Sequence, residues 1–369
     1  SSSSRVMVSS FTGTGKTRMG MEYVADILQG QAPGLVIWVA QKNELIDQAC
    51  DSIEQLWPWL GQKSGESLRV LRFSEGSTFG QSELDLRPCL LVATSTQIIL
   101  RSKAGDPFVR RALENADLLV IDEAHYALAE GHKSLIDEYF EVKKICGRQG
   151  HLLGLTATPG RSNLHHSGES YQLAELFGRK LVVPDVPEGD EGLRWFQDQG
   201  YLSRLVHETV ELNEEKSTHR LLPPSKLQRD KFVRQGSVPQ SLLTTLGARP
   251  TFNRSIALLL EDLSCQARQT LVYCCSIRQT TVLASLLAAQ NVEVGVIHHE
   301  LDQRDRRSIL NRFREGSIRT LLNVEVLTTG FDAPKVDTIV MCRPTMSRIL
   351  YEQMIGRGMR GPAMGGTSE

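Results

Sequence analysis

The stretch Ser9–Arg18 reads SSFTGTGKTR. A Gly-Thr-Gly-Lys-Thr run suits a loop that wraps a phosphate chain. Gly13 and Gly15 let backbone N–H groups approach anionic oxygens with no Cβ in the way. Lys16 can reach the β- and γ-phosphates of a nucleotide, and the Thr17 hydroxyl can ligate Mg²⁺. The usual loop of this kind carries a Gly where this chain has Ser10, which is small enough to keep the turn. About a hundred residues on, DLLVIDEAH ends an apolar run in Asp122, Glu123, Ala124 and His125. A carboxylate at the C-terminal end of a parallel strand lies where open α/β sheets bind ligands. Asp122 is placed to hold Mg²⁺, partly through water. Glu123 can orient or deprotonate an attacking water, which is the division of labour of phosphoryl transfer. Alone, either stretch could be a polar surface turn or a helix cap; together they point to a nucleotide that is hydrolysed.

The elements that must carry these residues are legible as well. RVMVSS reads as a strand and GKTRMGMEYVADILQG as a helix, so the loop sits between strand and helix. That is the setting in which a helix N-terminus faces phosphate. Short β-branched runs recur: GLVIWVA, LRVLRF, CLLVAT, ADLLVID and HLLGLTAT, then QTLVYC, VEVGVIH, IRTLLNV and VDTIVMC. Continuous apolar runs of this length suit strands buried on both faces of a parallel sheet. Helical patterns such as ELIDQACDSIEQLW and RQTTVLASLLAAQ lie between them, which predicts α/β architecture with right-handed crossovers. Two such series predict two domains, 1–183 and 184–369. A stretch rich in Pro, Gln and charge at about 212–250 reads as an inserted or mobile segment.

Bulk properties exclude several classes. With 42 Lys+Arg against 43 Asp+Glu, the net charge of -1 is not that of a globally basic nucleic-acid coat. Local basic patches remain compatible with it, because fields act within a Debye length. A hydrophobic fraction of 40% and a charged fraction of 23% are ordinary for a globular chain, and no apolar run would span a bilayer. The 7 Cys show no paired C-x-x-C spacing, the pattern of a reduced, cytoplasmic protein, nucleoid-associated if bacterial.

TGTGKT and DEAH in this order resemble a superfamily 2 helicase or translocase, and further motifs of that family follow in sequence. VAQKNELIDQ resembles motif Ia, and VATSTQIIL the nucleic-acid-contacting motif after it. GLTATPGR resembles motif III with Thr156, Ala157 and Thr158, and TLVYCCSIRQT resembles motif IV. NVEVLTTGFDAP resembles motif V, with Gly330 and Asp332 matching. YEQMIGRGMR resembles motif VI, with Gln353, Arg357 and Arg360. The resemblance covers nearly the whole chain. LTTGFDAP and QMIGRGMRGP are most similar to the restriction-enzyme-motor and repair-helicase branch.

The resemblance implies two tandem RecA-like domains, each a parallel sheet covered by helices, with ATP and Mg²⁺ in the cleft between them. Thr12, Gly13, Thr14, Gly15, Lys16, Thr17 and Arg18 would hold the phosphates with Asp122, Gly330 and Asp332. Thr17 and Asp122 would serve the metal. Lys16, Glu123, Gln353, Arg357 and Arg360 form the expected catalytic set. Arg357 and Arg360 are three apart, which predicts one face of a helix and two guanidiniums for the γ-phosphate. Gln353 would contact the γ-phosphate or the attacking water.

By the same resemblance, Gln41, Lys42, Asn43, Thr94 and Gln97 in the first domain, with Ser276 and Arg278 in the second, would contact a sugar-phosphate backbone. Such contacts are sequence-independent. For each of these residues a helix cap or a solvated loop is an equal alternative. Many family members carry Thr-Asp early in motif V where this chain has Val324-Glu325, so one hydroxyl contact is expected to be missing. Arg306 matches a recurrent family arginine. His165-His166 and His298-His299 lack partners at metal-ligand spacing and read as surface or packing histidines.

The expected activity is ATP-dependent movement along, or unwinding of, nucleic acid, with DNA placed ahead of RNA. A clamp or remodelling switch that does not unwind is one alternative. A motor subunit with nuclease or other partners outside this chain is another. The chain starts shortly before the phosphate loop and stops soon after motif VI, as expected of a piece of a longer protein.

Overall fold

The computed structural model describes residues 4–30, 34–60, 67–157, 167–187, 190–210, 238–324, 326–327, 333, 335–345 and 347–368. The chain divides into two compact units, Ser1–Val186 and Pro187–Glu369.

The first unit is built on a seven-stranded parallel sheet. Its strands are β1 (Arg5–Ser9), β2 (Leu35–Ala40), β3 (Arg69–Phe73), β4 (Cys89–Thr94), β5 (Leu118–Asp122), β6 (His151–Thr156) and β7 (Leu181–Val182), in the spatial order β3-β4-β2-β5-β6-β1-β7. Every residue of β2, β4 and β5 is buried, the signature of strands covered on both faces. Alternation then sorts the side chains. Val36, Trp38, Leu90 and Val120 pack with α1 (Lys16–Leu28) and α2 (Asn43–Leu60). Ile37, Leu91, Leu119 and Ile121 pack with α3 (Ser95–Lys103), α4 (Pro107–Asn115) and α5 (Glu130–Ile145). Two further helices follow the motif III strand, α6 (Ser167–Leu176) and, opening the second unit, α7 (Asp190–Asp198).

The second unit has a four-stranded parallel sheet of β8 (Thr270–Tyr273), β9 (Val294–Ile297), β10 (Thr320–Asn323) and β11 (Thr338–Met341), ordered β11-β8-β10-β9. One face packs on α11 (Gln303–Glu315) and α12 (Arg348–Ile355) through Phe313 and Met354. The other packs on α9 (Pro250–Cys265) and α10 (Ile277–Ala288) through Leu260 and Leu283.

Of the stretch expected at about 212–250 to be inserted or mobile, residues 212–237 lie outside the described residues. The remainder is helical: α8 (Gln240–Gly247) runs into α9. These helices are tied to the sheet by a buried amide relay. Gln279 Oε1 accepts from Cys275 N at 2.7 Å, Gln279 Nε2 donates to Asn253 Oδ1 at 3.0 Å, and Asn253 Nδ2 donates to Gly247 O at 2.9 Å. Among the described residues, no helix is long and apolar enough to cross a membrane.

Candidate nucleotide and nucleic-acid sites

Sheet order decides which loops meet. β6 lies between β5 and β1, and the strand ends are level: Asp122 is the register partner of Leu155, and Ser9 of Thr156. The loop leaving β1 and the DEAH segment leaving β5 therefore emerge at the C-terminal end of the sheet, with the end of β6 between them.

Gly13 and Gly15 adopt φ of 89° and 82°, the left-handed region that only glycine enters without strain. Gly15 is the residue before α1, so its backbone turns the loop into the helix that begins at Lys16. Ser10 is accommodated because it is buried and its hydroxyl lies 2.6 Å from Thr14 Oγ1, which donates to Phe11 O at 2.7 Å. The hydroxyl pair braces the loop from within. Lys16 Nζ arches back over it, donating to Ser10 O at 3.2 Å and Phe11 O at 3.0 Å. Thr12, Thr17 and Arg18 complete the loop and first helical turn, and Arg18 pairs with Glu22 at 3.3 Å on the exposed face of α1.

Asp122 ends β5, buried, and its Oδ1 accepts the N–H of Glu123 at 2.9 Å. Glu123 has φ 53°, a left-handed conformation that a non-glycine residue adopts at a cost of about 1–2 kcal/mol. That turn leads from the strand into the short helical turn Ala124–Tyr126. His125, only 2% exposed, places Nδ1 3.1 Å from Thr156 Oγ1 and 3.4 Å from Glu123 Oε2. Thus Glu123, His125 and Thr156 form one contiguous polar group. His125 and Thr156 fell outside the expected site set, although both stand inside recognised motifs. The missing information was that β6 neighbours β5.

In the second unit the helix expected to present both arginines ends sooner than the spacing suggests. α12 stops at Ile355; Arg357 lies in the following turn and Arg360 in an extended bridge with Leu202. Gly356 and Gly358 flank Arg357, and glycine is among the poorest helix formers. A Cβ on Gly358 would sit 3.0 Å from Ile339 Cγ1, so the turn also packs closely on β11. Gln353 remains on α12, buried. The buried Tyr273 hydroxyl donates toward Met354 O and Leu327 O, each at 3.4 Å. Gly330 and Asp332 lie outside the described residues, as do Glu325, Thr158, His165 and His166.

The candidate nucleic-acid contacts also sit at strand ends. Ala40 and Thr94 are register partners, so Gln41, Lys42 and Asn43 after β2 lie at the same end of the sheet as Thr94, which ends β4, and Gln97 beyond it. Thr94 Oγ1 caps α3 by accepting Gln97 N at 3.4 Å, and Ser276 Oγ caps α10 by accepting Gln279 N at 3.3 Å. Each hydroxyl keeps a hydrogen to donate. Arg278 is exposed on the first turn of α10. Arg306 donates to the carbonyls of His298 and Leu301 at 3.1 and 3.3 Å, which fixes the turn before α11. Among the described residues, no group of three or more metal-ligating side chains is brought together, His298 and His299 included.

A phosphate loop, an Asp-Glu pair two strands away and two parallel α/β units define a nucleotide-binding protein of tandem RecA-like type. Residues 1–161 match the family Type III restriction enzyme, res subunit, and residues 253–361 match Helicase conserved C-terminal domain. Both matches are to helicase-type domains, so the chain is similar to the superfamily 2 helicases, consistent with the restriction-enzyme-motor and repair-helicase branch. It is similar to IRC3 of Saccharomyces cerevisiae, 23% identical over 366 residues that cover 96% of this chain and 46% of that protein. It is also similar to the Type I restriction enzyme EcoKI endonuclease subunit of Escherichia coli K12, 25% identical over 384 residues covering 96% of this chain and 31% of that one. The chain thus spans less than half the length of either relative. Its fold matches that of the DUF1998 helicase MrfA bound to DNA, with a TM-score of 0.64 and 12% identity over 97% of this chain and 42% of that one.

Proposed function

We propose that this chain is a nucleic-acid-dependent ATPase whose hydrolysis cycle drives movement along, or separation of, nucleic-acid strands, with DNA as the favoured track. The observation that carries this reading is the C-terminal end of the sheet, where the Gly13–Lys16 loop, Asp122 and the Glu123–His125–Thr156 group leave neighbouring strands. In this reading backbone N–H groups of the loop and Lys16 bind the β- and γ-phosphates. Glu123 orients and deprotonates the attacking water. Its orientation is held by the Glu123 backbone turn and the His125 contact. Arg357 and Arg360 stabilise charge on the transferred phosphoryl group, and Gln353 assists at the water or the γ-phosphate.

The donor set fits Mg²⁺, which takes oxygen ligands: the Thr17 hydroxyl at the start of α1 and the Asp122 carboxylate at the end of β5. When bound, the ion neutralises charge on the β- and γ-phosphates. Gln41, Lys42, Asn43, Thr94 and Gln97 in one unit, with Ser276 and Arg278 in the other, supply backbone contacts to the strand. Placement of DNA ahead of RNA draws on the restriction-enzyme relative and the DNA-bound structural neighbour. The former also supports a motor subunit working with partner subunits. The test is steady-state ATP hydrolysis with single- and double-stranded DNA and RNA at fixed salt. Stimulation by DNA is expected; hydrolysis indifferent to every nucleic acid would refute the proposal.

A further inference from the structure

Arg360 is held by a stretch of chain remote from it in sequence. Gly200–Arg204, directly after α7, runs antiparallel to Met359–Ala363, with Leu202 bridged to Arg360. Ser203 N donates to Met359 O at 3.0 Å, Gly361 N to Tyr201 O at 3.0 Å, and Ala363 N to Gly200 O at 2.9 Å. The chain then folds back on itself: Thr367 N donates to Arg360 O at 3.1 Å, and Arg204 N to Ser368 O at 3.0 Å. At the centre is the Ser203 hydroxyl, 2.6 Å from Arg360 O and 2.5 Å from Thr367 O, in a residue only 2% exposed. The Ser203 carbonyl is itself fixed by Gln197 Nε2 at 3.2 Å. No slack is left around this clasp. A Cβ on Gly361 would overlap the Gly200 carbonyl, and one on Gly366 would overlap the Arg360 carbonyl.

We infer that Ser203 is a positioning residue for Arg360. Its hydroxyl proton, shared between two carbonyls, locks the peptide that follows the Arg360 Cα, while pairing on either side locks its neighbours. With the backbone fixed before and after it, the Arg360 Cα–Cβ bond keeps one direction. This removes backbone freedom that would otherwise be lost when the guanidinium meets phosphate. Arg360 lies beyond the end of α12, so helical hydrogen bonds do not supply that rigidity, and the Gly200–Arg204 segment does. The inference rests on the reading that Arg360 acts on ATP.

The experiment compares Ser203→Ala, Arg360→Ala and the double variant in the full chain. The readouts are nucleic-acid-stimulated kcat and KM for ATP, strand affinity at fixed salt, and Tm. Ser203→Ala is expected to lower kcat about tenfold, equivalent to about 1.4 kcal/mol, with KM and strand affinity within twofold of wild type. The double variant is expected to be no slower than Arg360→Ala alone, because Ser203 acts through that arginine. Wild-type kcat in Ser203→Ala beside a crippled Arg360→Ala would overturn the proposal, as would additive losses or equal losses in kcat, KM and strand affinity. Wild-type turnover in Arg360→Ala would instead remove the reading of Arg360 itself, and this inference with it. Should Ser203→Ala fail to fold, Gln197→Ala removes the bond that fixes the Ser203 carbonyl without adding volume to the clasp, and is read by the same split.

Discussion

Glu123→Gln separates chemistry from architecture. The substitution keeps side-chain length and shape and removes the negative charge. The left-handed turn at φ 53° penalises Glu and Gln alike, so its strain cancels between wild type and variant. What the fold loses is the charge opposite His125 Nδ1, a contact of 3.4 Å. The contact is an ion pair only with His125 protonated and is not a hydrogen bond, so its worth is at most about 0.5 kcal/mol. For a unit of this size that lowers Tm by roughly 1–2 °C. The hydrolytic step loses much more. A positioned general base contributes roughly 10²–10⁴-fold, so the barrier rises by about 2.7–5.4 kcal/mol. ATP affinity should hold, because in the proposed reading Lys16 and the loop grip phosphate independently of Glu123. Single-turnover hydrolysis, a nucleotide titration and a thermal melt on the same preparation give the three numbers. A variant that turns over ATP within threefold of wild type would show that another group handles the water. A Tm drop above about 8 °C would show that Glu123 is chiefly structural.

Lys16→Ala should weaken ATP binding roughly 10–100-fold, the value of a charge-assisted contact to phosphate, and a nucleotide titration unchanged within twofold would contradict the loop assignment. Gly154→Ala should destabilise the first unit by about 1–3 kcal/mol, seen as a Tm several degrees lower, because the new Cβ would lie 2.6 Å from Phe177 Cζ and 2.8 Å from Ala124 Cβ. Ala124 follows Glu123, so turnover should fall together with Tm. Lys143 is 2% exposed, its Nζ donates to Glu114 O at 2.9 Å, and burial pulls its pKa down to about 8 from 10.5. The unfolded chain binds that proton more tightly, so Lys143 weakens the fold below pH 8, and stability is regained as pH rises from about 8 toward 10.5. Lys143→Met should flatten that rise in denaturation midpoints taken from pH 7 to 10, and an unchanged slope would assign it to other groups.

Much of the molecule is legible in short contiguous segments. LVIWVA is apolar at every position and CLLVAT at all but its last, Thr94, which is enough to predict strands buried on both faces, and both are found so. Gly13, Gly15, Lys16 and Thr17 lie within one turn of chain, so the glycine-permitted loop that leads into a helix at Lys16 is legible from backbone freedom at that spacing. Asp122 and Glu123 are legible for the same reason, as acids closing an apolar run. Local patterns are also where the reading failed. Three-residue spacing placed Arg357 and Arg360 on a helix, yet Gly356 and Gly358 end it first, because spacing counts positions while helix formation depends on backbone propensity.

The remainder was decided by tertiary structure. That the end of β6 separates the phosphate loop from the DEAH turn, and so delivers Thr156 to His125, follows from strand order. Composition and periodicity do not encode that order. The relay from Gly247 through Asn253 and Gln279 to Cys275 ties to the sheet a helix, Gln240–Gly247, that lies in the stretch whose polar composition suggested an insertion. Ser203 meets Arg360 across 157 positions of sequence. A serine after a Tyr-Leu pair carries no local mark of that contact. Secondary structure and phosphate chemistry are short-range properties, set by each residue's own backbone preferences and functional group. Hydrogen bonds between distant segments exist only once burial of both sheet faces has brought those segments together, and at that point packing decides which polar groups meet.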